Sequence, residues 1–492
     1  MSYLRIQGGR PLSGHLTVQR AKNSVLPVLA ATLLAGGECR IADCPRLSDV
    51  ETAAEILRHL GCQAQWDGND LLVDTACVTR WDIPEGLMRK MRSSVIFLGA
   101  ILTRCGRAEL SYPGGCELGP RPIDLHLTAL RTLGAEISEI GGSLLCRAER
   151  LRGDDILLTL PSVGATENAI LAACGAEGTT IISNAAREPE IADLQDFLQK
   201  LGADVHGAGT STITVRGGGV RRGCAHRCIG DRIAAATYLC AAAAAGGQVT
   251  LRGVDYRHLA TVTTALGQAG CRLQCTEDSI TLESDGRLRA IPPVRTSPYP
   301  GFPTDAQAPL MAALLRCLRR QYAPEMPVEQ LRAIGLTVGS DMPFCVSGGT
   351  ALAEGRGERL TALPALPDCW IVLCKPEFGI PTPALFTLAD AGTPKNRPDI
   401  DGMIRALSAG DLGGVAARLG NVFEEFLPEE YHEVFHIKNR LLELGALNAA
   451  MSGSGPTVFG IFREETAAKA AETALKQCYP QTYLAKPVGE LV

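Results

Sequence analysis

The sequence predicts an α/β protein made of repeated units, followed by a segment of a different kind. Three observations carry that expectation. The 492 residues exceed what one ordinary core organises. Polar helix starts recur at a nearly constant spacing, and glycine closes the helices they open. The first unit opens at Lys22-Asn23-Ser24 with an apolar helix ending at Gly36-Gly37, passes through a strand-like segment, and continues in an amphipathic helix ending at Leu60-Gly61. The second opens at Arg92-Ser93-Ser94 and closes at Leu133-Gly134. The third runs from Ser162-Val163-Gly164 to Leu201-Gly202, and the fourth from Asp231-Arg232 to Ala269-Gly270. The openings lie 70, 70 and 69 residues apart, so each unit reads helix, strand, helix, strand. A fifth opens at Thr304-Asp305, 74 residues after Asp231, with a helix from Ala308 to Arg316. No glycine pair or strand follows it, and the repeat stops there.

Composition narrows the function. A hydrophobic share of 46% with 21% charged residues suits a well-buried soluble protein. The formal charge of −5 supplies no basic field for nucleic acid. The longest apolar run, Leu239 to Ala245, is too short to span a bilayer, and Met1 to Arg10 lacks the charged-then-apolar layout of a signal peptide. A cytoplasmic location with no membrane partner is therefore expected. The 18 cysteines are scattered with no CxxC pair, so most read as small buried hydrophobes and no metal site is expected.

The unit openings carry the chemistry. Lys22, Asn23, Arg92, Arg121, Asp231, Arg232 and Asp305 are unusual residues for buried helix starts. Helix N-termini present free N–H groups and partial positive charge, so several such ends with Lys and Arg form a pocket for phosphates. An anionic substrate is implied. Pro113-Gly114-Gly115-Cys116 stands just before Arg121-Pro122-Ile123-Asp124-Leu125. Its glycines permit a tight loop, and the nearby arginines tune the thiol for proton transfer. A general acid there contributes about 10²–10⁴-fold to a rate.

Seven segments, in order, resemble the enolpyruvyl transferase family: Lys22-Asn23, the Pro-Gly-Gly-Cys loop, Arg121 to Leu125, Pro161 to Thr166, Asn184 to Glu190, Asp231-Arg232-Ile233, and Pro300 to Asp305. They cover residues 1 to about 316, and the cysteine loop favours the branch acting on UDP-N-acetylglucosamine over the shikimate 3-phosphate branch. The resemblance implies two inside-out α/β domains of three units each. Residues 22–229 would form the first, and 1–21 with 230–316 an incomplete second. It implies phosphoenolpyruvate and UDP-N-acetylglucosamine as substrates in peptidoglycan synthesis, and no cofactor. By the same resemblance Cys116 protonates the methylene carbon, Asp305 takes the proton of the sugar 3′-hydroxyl, and Lys22 and Arg121 hold the phosphate. Asn23, Arg92, Pro122, Ile123, Asp124, Leu125, Ser162, Val163, Gly164 and Asp305 surround the nucleotide sugar. Most of the fifth unit and all of the sixth are missing, and with them a phosphate-binding arginine of the family.

From residue 317 the signature changes. Leu336 to Cys345, Gly348 to Gly355, Leu373 to Pro376 and Met451 to Phe459 resemble the C-terminal half of the cytidyl-diphospho-methylerythritol kinase of isoprenoid synthesis, a member of the GHMP superfamily. The resemblance implies an α+β domain over 317–492, with Asp341 as catalytic base and Ser452-Gly453-Ser454-Gly455 lining the nucleotide side. The family's lysine strand and phosphate loop are missing ahead of it, so ATP and Mg are cofactors only if this portion functions. Three functions follow: an enolpyruvyl transferase impaired by the missing units, an ATP-dependent kinase, or a noncatalytic chimera.

Overall fold

The computed structural model describes residues 11–91, 93–111, 123–140, 143–218, 222–307, 309–311, 313, 314, 326, 327, 330, 333, 334 and 336. It also describes 350–487 apart from 356–358, 377, 381, 393, 395 and 396. The chain divides into two compact bodies, one spanning Gln7–Pro113 and Pro122–Pro324, the other built on Glu325–Val492.

The first body begins with β1 (Gly14–Thr17), α1 (Lys22–Ala31), β2 (Glu38–Ile41), α2 (Ser48–His59), β3 (Gln63–Asp67) and β4 (Asp70–Asp74). Every residue of α1 from Ser24 to Ala31 is buried, the mark of an interior helix apolar on all sides. By contrast α2 buries Val50, Ala53, Ala54, Ile56 and Leu57 at helical spacing and carries Asp49 and Glu51 in its first turn, so it lies on a core with one face wet. The same order repeats in β5 (Asp82–Ile83), α3 (Glu85–Lys90), α4 (Phe97–Cys105), β6 (Arg107–Ser111), α5 (Asp124–Thr132), β7 (Glu136–Ile140) and β8 (Ser143–Arg147). A third unit comprises β9 (Asp155–Leu157), α6 (Val163–Ala173), β10 (Thr179–Ser183), α7 (Pro189–Leu201), β11 (Asp204–His206) and β12 (Thr212–Arg216). The fourth has β13 (Ala225–His226) ahead of it and then α8 (Arg232–Ala245), β14 (Gly247–Arg252), α9 (Ala260–Gln268), β15 (Arg272–Cys275) and β16 (Ser279–Ser284).

The observed unit corrects the expected one by a strand. Each second helix is followed by an antiparallel hairpin rather than a single strand. The second helices end on Gly61, Gly134, Gly202 and Gly270 at φ +102, +92, +101 and +104. A side chain there would strain the turn into the hairpin, which is why the glycine spacing is so regular.

Strand exchange explains how the units close on one another. The sheets have the orders β13-β2-β4-β3, β5-β6-β8-β7, β9-β10-β12-β11 and β1-β14-β16-β15. In each, the outermost strand is parallel to its neighbour and comes from outside the unit. Thus β5 passes from unit one to unit two and β9 from two to three. Leaving unit three, β13 returns to unit one. Three units form a ring with one shared core, and α4 packs on both α1 and α6 inside it. β1 instead joins the sheet of unit four, which has its own core from Val18 to Ala313. Ala306 and Leu310 of the interrupted fifth unit are buried in that second core.

The second body opens with the hairpin of β17 (Thr350–Glu354) and β18 (Arg359–Leu363). It continues with β19 (Trp370–Lys375), α10 (Thr382–Ala391), α11 (Ile400–Ser408), α12 (Leu412–Ala417), α13 (Glu433–Glu443), β20 (Asn448–Met451), β21 (Val458–Phe462), α14 (Glu465–Lys476) and β22 (Gln481–Ala485). The antiparallel sheet β20-β21-β19-β22 alternates its side chains between two clusters, one with α13 and α14 and one with α11 and α12. This is the expected α+β layout. Ten of the 15 described cysteines are buried, so thiols serve mainly as small core residues, as anticipated. No described helix is long and apolar enough to cross a membrane.

Candidate functional site

In the ring the interior helix α4 packs on α1 and on α6. Lys22 opens α1, and its ammonium pairs with Asp49 of α2 at 2.9 Å. The two side chains are 44% and 27% exposed, and a pair this wet holds its lysine by at most about 1 kcal/mol. An incoming phosphate dianion can take the lysine over. Asn23 beside it is exposed.

At the start of α6, Ser162 accepts from the Ala165 amide at 3.4 Å as the N-cap. Val163 follows, and then Gly164, where a Cβ would come within 2.9 Å of the His126 ring. Glycine is needed because α5 presses on α6 there. Asn168 fixes that approach. Its carbonyl oxygen accepts from the Gly99 amide at 2.7 Å, while its amide nitrogen donates to Val95 O at 2.9 Å and to His126 Nδ1 at 2.7 Å. This buried side chain ties α4, α5 and α6 together and sets Ile123, Asp124 and Leu125, at the start of α5, beside Ser162 to Gly164. Asn168 did not register in the sequence, where one polar residue in an apolar helix gives no periodic signal.

Unit four meets the ring across a second set of contacts. The main chain crosses twice, with Ala21 N on Ile229 O at 2.8 Å and Asp231 N on Gln19 O at 2.9 Å. Asp231 caps α8, accepting from the amides of Ile233 and Ala234 at 2.9 and 3.1 Å. Arg232 is buried, donates to Glu190 Oε1 at 2.9 Å and lies 5.6 Å from the Tyr299 ring centre. The expectation that Asp231 and Arg232 line an anion pocket is thereby corrected, since a helix cap and a buried carboxylate occupy them. A cleft of about 240 Å³ lies between Pro161, Asn184, Arg187 and Glu188 of the ring and Tyr299 and Pro300 of unit four's side. On one wall Pro161 leads directly into the Ser162 cap of α6. Asp305 is exposed on the turn Thr304–Ala306 and makes no ion pair among the described residues.

A second buried polar node sits behind α1. Asp193 of α7 accepts from Ser24 Oγ, from His226 Nε2 at 3.1 Å and from the Ile229 amide at 3.3 Å. Lys200 donates to His226 Nδ1 at 2.9 Å, which leaves the ring proton on Nε2 for Asp193. Burial pushes the Cys228 thiol up, and it too bonds Asp193 and Ser24. The donor atoms of Asp193, His226 and Cys228 lie within 4.8 Å of one another, but proton donors hold them as a hydrogen-bonded node. That node fastens α1, which carries Lys22 and Asn23, to the segment crossing into unit four.

Glu167, on α6, is fully buried. Burial raises its carboxyl well above the usual range, and the nearby Glu190 and Glu188 add to the effect. A carboxyl raised in this way binds more protons folded than unfolded, so its contribution to stability falls as pH rises above the unfolded value near 4.3. Glu167→Gln is expected to raise the thermal midpoint at pH 8 and to change it little at pH 4. Calorimetry at the two pH values checks this.

Arg92, Cys116, Arg121, Pro122 and Asp341 lie outside the described residues. In the second body, Ser452 to Gly455 form a tight turn, with Ser452 N on Thr457 O at 2.7 Å and Gly455 N on Ser452 O at 2.9 Å. Gly453 and Gly455 sit at φ +56 and +78, and Asn421 anchors the turn through Met451 O and Gly453 O.

With this geometry in view, the chain can be compared with known proteins. A family model described as EPSP synthase (3-phosphoshikimate 1-carboxyvinyltransferase) matches residues 6–319, and one described as GHMP kinases C terminal matches residues 403–481. UDP-N-acetylglucosamine 1-carboxyvinyltransferase 2 of Caldanaerobacter subterraneus is 47% identical over 314 residues, 64% of this chain and 75% of that one. The enzyme of the same name from Clostridium tetani is 41% identical over 384 residues, 76% of this chain and 92% of that one. Among solved structures, the enolpyruvyl transferase NikO from Streptomyces tendae matches with a TM-score of 0.56 and 26% identity, over 63% of this chain and 74% of that one.

Proposed function

The chain belongs to the EPSP synthase family of enolpyruvyl transferases over residues 6–319 and carries a GHMP kinase C-terminal domain at 403–481, and on that footing we propose that it transfers the enolpyruvyl group of phosphoenolpyruvate to the 3′-hydroxyl of UDP-N-acetylglucosamine. The observation that carries this reading is the cleft between Pro161, Asn184, Arg187 and Glu188 of the ring and Tyr299 and Pro300, next to the Ser162 cap of α6. The relatives' names give UDP-N-acetylglucosamine as the acceptor and a carboxyvinyl group as what is transferred. Asp305 takes the hydroxyl proton as the oxygen adds to C2 of phosphoenolpyruvate, and Cys116 delivers a proton to C3. Loss of a C3 proton then expels phosphate, whose charge Lys22 and Arg121 hold. Asn23, Arg92, Pro122 to Leu125 and Ser162 to Gly164 surround the nucleotide sugar.

Residues 22–229 act as one domain, and 1–21 with 230–316 as the shorter second. Turnover is reduced relative to the family, because the second domain lacks the units that supply a further phosphate-binding arginine. The reaction takes place in solution in the cytoplasm, as part of peptidoglycan synthesis, and needs no cofactor. UDP-N-acetylglucosamine is expected to raise the thermal midpoint, and an epoxide phosphonate mimic of phosphoenolpyruvate to alkylate Cys116 faster in its presence. No shift and no labelling would remove the reading.

The turn at Ser452 to Gly455 favours a second reading for the last third, as a remnant of the cytidyl-diphospho-methylerythritol kinase with Asp341 as its base. Phosphoryl transfer depends on a cradle for the phosphates, and ATP with Mg is its cofactor pair. ATP hydrolysis that requires the methylerythritol substrate supports this reading, and no ATP binding ends it.

A further inference from the structure

The strands β2 and β13 run parallel, with Arg40 opposite Ala225 and Ile41 opposite His226. One step earlier in the same register, Cys39 faces Cys224. The backbones remain joined there, the Arg40 amide donating to Cys224 O at 2.9 Å. Alternation puts Cys39 on the inner side of β2 with Ile41, and Cys224 on the same side as His226, partly packed on the core that contains Cys39. The preceding residue shows how close the segments come: a Cβ on Gly223 would lie 1.6 Å from Glu38 O. Strands in a sheet lie about 4.8 Å apart, inside the Cα separation of roughly 4.4–6.8 Å that a disulfide spans. The two thiols are already in hydrogen-bonding contact.

Their surroundings divide the roles. Cys39 is wholly buried and Cys224 only half so. The Cys39 thiol donating to the Cys224 sulfur lowers Cys224, and Lys200 and Arg222 nearby favour its thiolate against the cost of burial. Being the donor in that contact, together with burial, raises Cys39. An accessible, cation-flanked thiol with a second thiol behind it is the arrangement in which oxidation proceeds to a disulfide.

We propose that Cys39 and Cys224 are a redox-active pair that closes to a disulfide on two-electron oxidation by a peroxide. The Cys224 thiolate attacks a peroxide oxygen, the O–O bond breaks, and with hydrogen peroxide one water leaves as the sulfenic acid forms. The Cys39 sulfur then attacks the sulfenic sulfur, the S–S bond forms, the S–O bond breaks, and a second water leaves. Two thiols and one peroxide give one disulfide and two waters. The bridge joins β2 to the segment that runs through Ile229 into Asp231, so it fastens the crossing next to Lys22.

The test is a peptide map of the full chain after stoichiometric hydrogen peroxide under native conditions, with remaining thiols blocked by N-ethylmaleimide present as the chain is denatured without reductant. The expected product is a linked peptide pair carrying Cys39 and Cys224, with two fewer blocked thiols, reversed by dithiothreitol. In Cys39→Ala the sulfenic acid at Cys224 is expected to persist and be trapped by dimedone. The proposal is overturned if Cys224 stays blocked by N-ethylmaleimide at a dose that oxidises the exposed Cys77, Cys275 and Cys478, or if it links to any cysteine other than Cys39. The map of the unsubstituted chain decides this even if a variant fails to fold.

Discussion

Asp305→Asn is expected to lower enolpyruvyl transfer about 10²–10⁴-fold, the range for loss of a positioned general base. The amide keeps the shape and an acceptor oxygen but takes no proton. UDP-N-acetylglucosamine affinity should therefore stay within about tenfold, and the loss should fall on kcat rather than KM, as for an interaction made mainly in the transition state. Asp305 is exposed on the turn Thr304–Ala306, with no ion pair among the described residues, so the change leaves no buried partner stranded and should barely move the melting temperature. Steady-state phosphate release with both substrates varied, beside a thermal melt, separates the effects. A KM effect alone would make Asp305 a binding residue and nothing more.

The largest stability effect is expected at Asp193. Its carboxylate accepts from Ser24, His226 and the Ile229 amide and is almost wholly buried. Asp193→Ala leaves these donors unpartnered at about 1–3 kcal/mol each when no water reaches them. A loss of about 3–5 kcal/mol is expected after relaxation, lowering the thermal midpoint of the first body by roughly 10 °C. Because the node holds the start of α1, residual folded protein should also bind phosphate-bearing ligands more weakly through Lys22. Thermal melts followed by titration of the folded fraction check both. A change under 1 kcal/mol would mean that water replaces the carboxylate and that the node does not fasten the helix.

What the sequence disclosed follows from which features are periodic. The glycines at 61, 134, 202 and 270 were visible because a left-handed residue after each second helix leaves little choice of side chain. The interior helices were visible as uniformly apolar runs. The closing hairpins are not read from the sequence although a turn signal is present: Gly68, within Asp67 to Asp70, is at φ +60. Each half is short enough to pass for part of one strand. Strand exchange between units was out of reach, because no local property of Ala225-His226 tells that it pairs with β2 rather than β10.

The site divides in the same way. Lys22, Asn23 and the Ser162 cap stand at helix starts, where pattern and chemistry coincide. Arg232 stands at one too, but its partner Glu190 is 42 residues away, and only the fold shows that the pair is closed to ligands. Asn168, Asp193 and His226 are single polar residues in apolar surroundings. Their meaning comes from partners distant in sequence, such as Ser24, 169 residues from Asp193.

The central claim is the transfer reaction, and the most direct measurement is phosphate release by the purified full-length chain, followed by mass spectrometry of the nucleotide sugar. The account predicts slow release that requires phosphoenolpyruvate and UDP-N-acetylglucosamine together, with the enolpyruvyl group found on the sugar. Titration that detects no binding of UDP-N-acetylglucosamine, with no release from either substrate mixture, would contradict it.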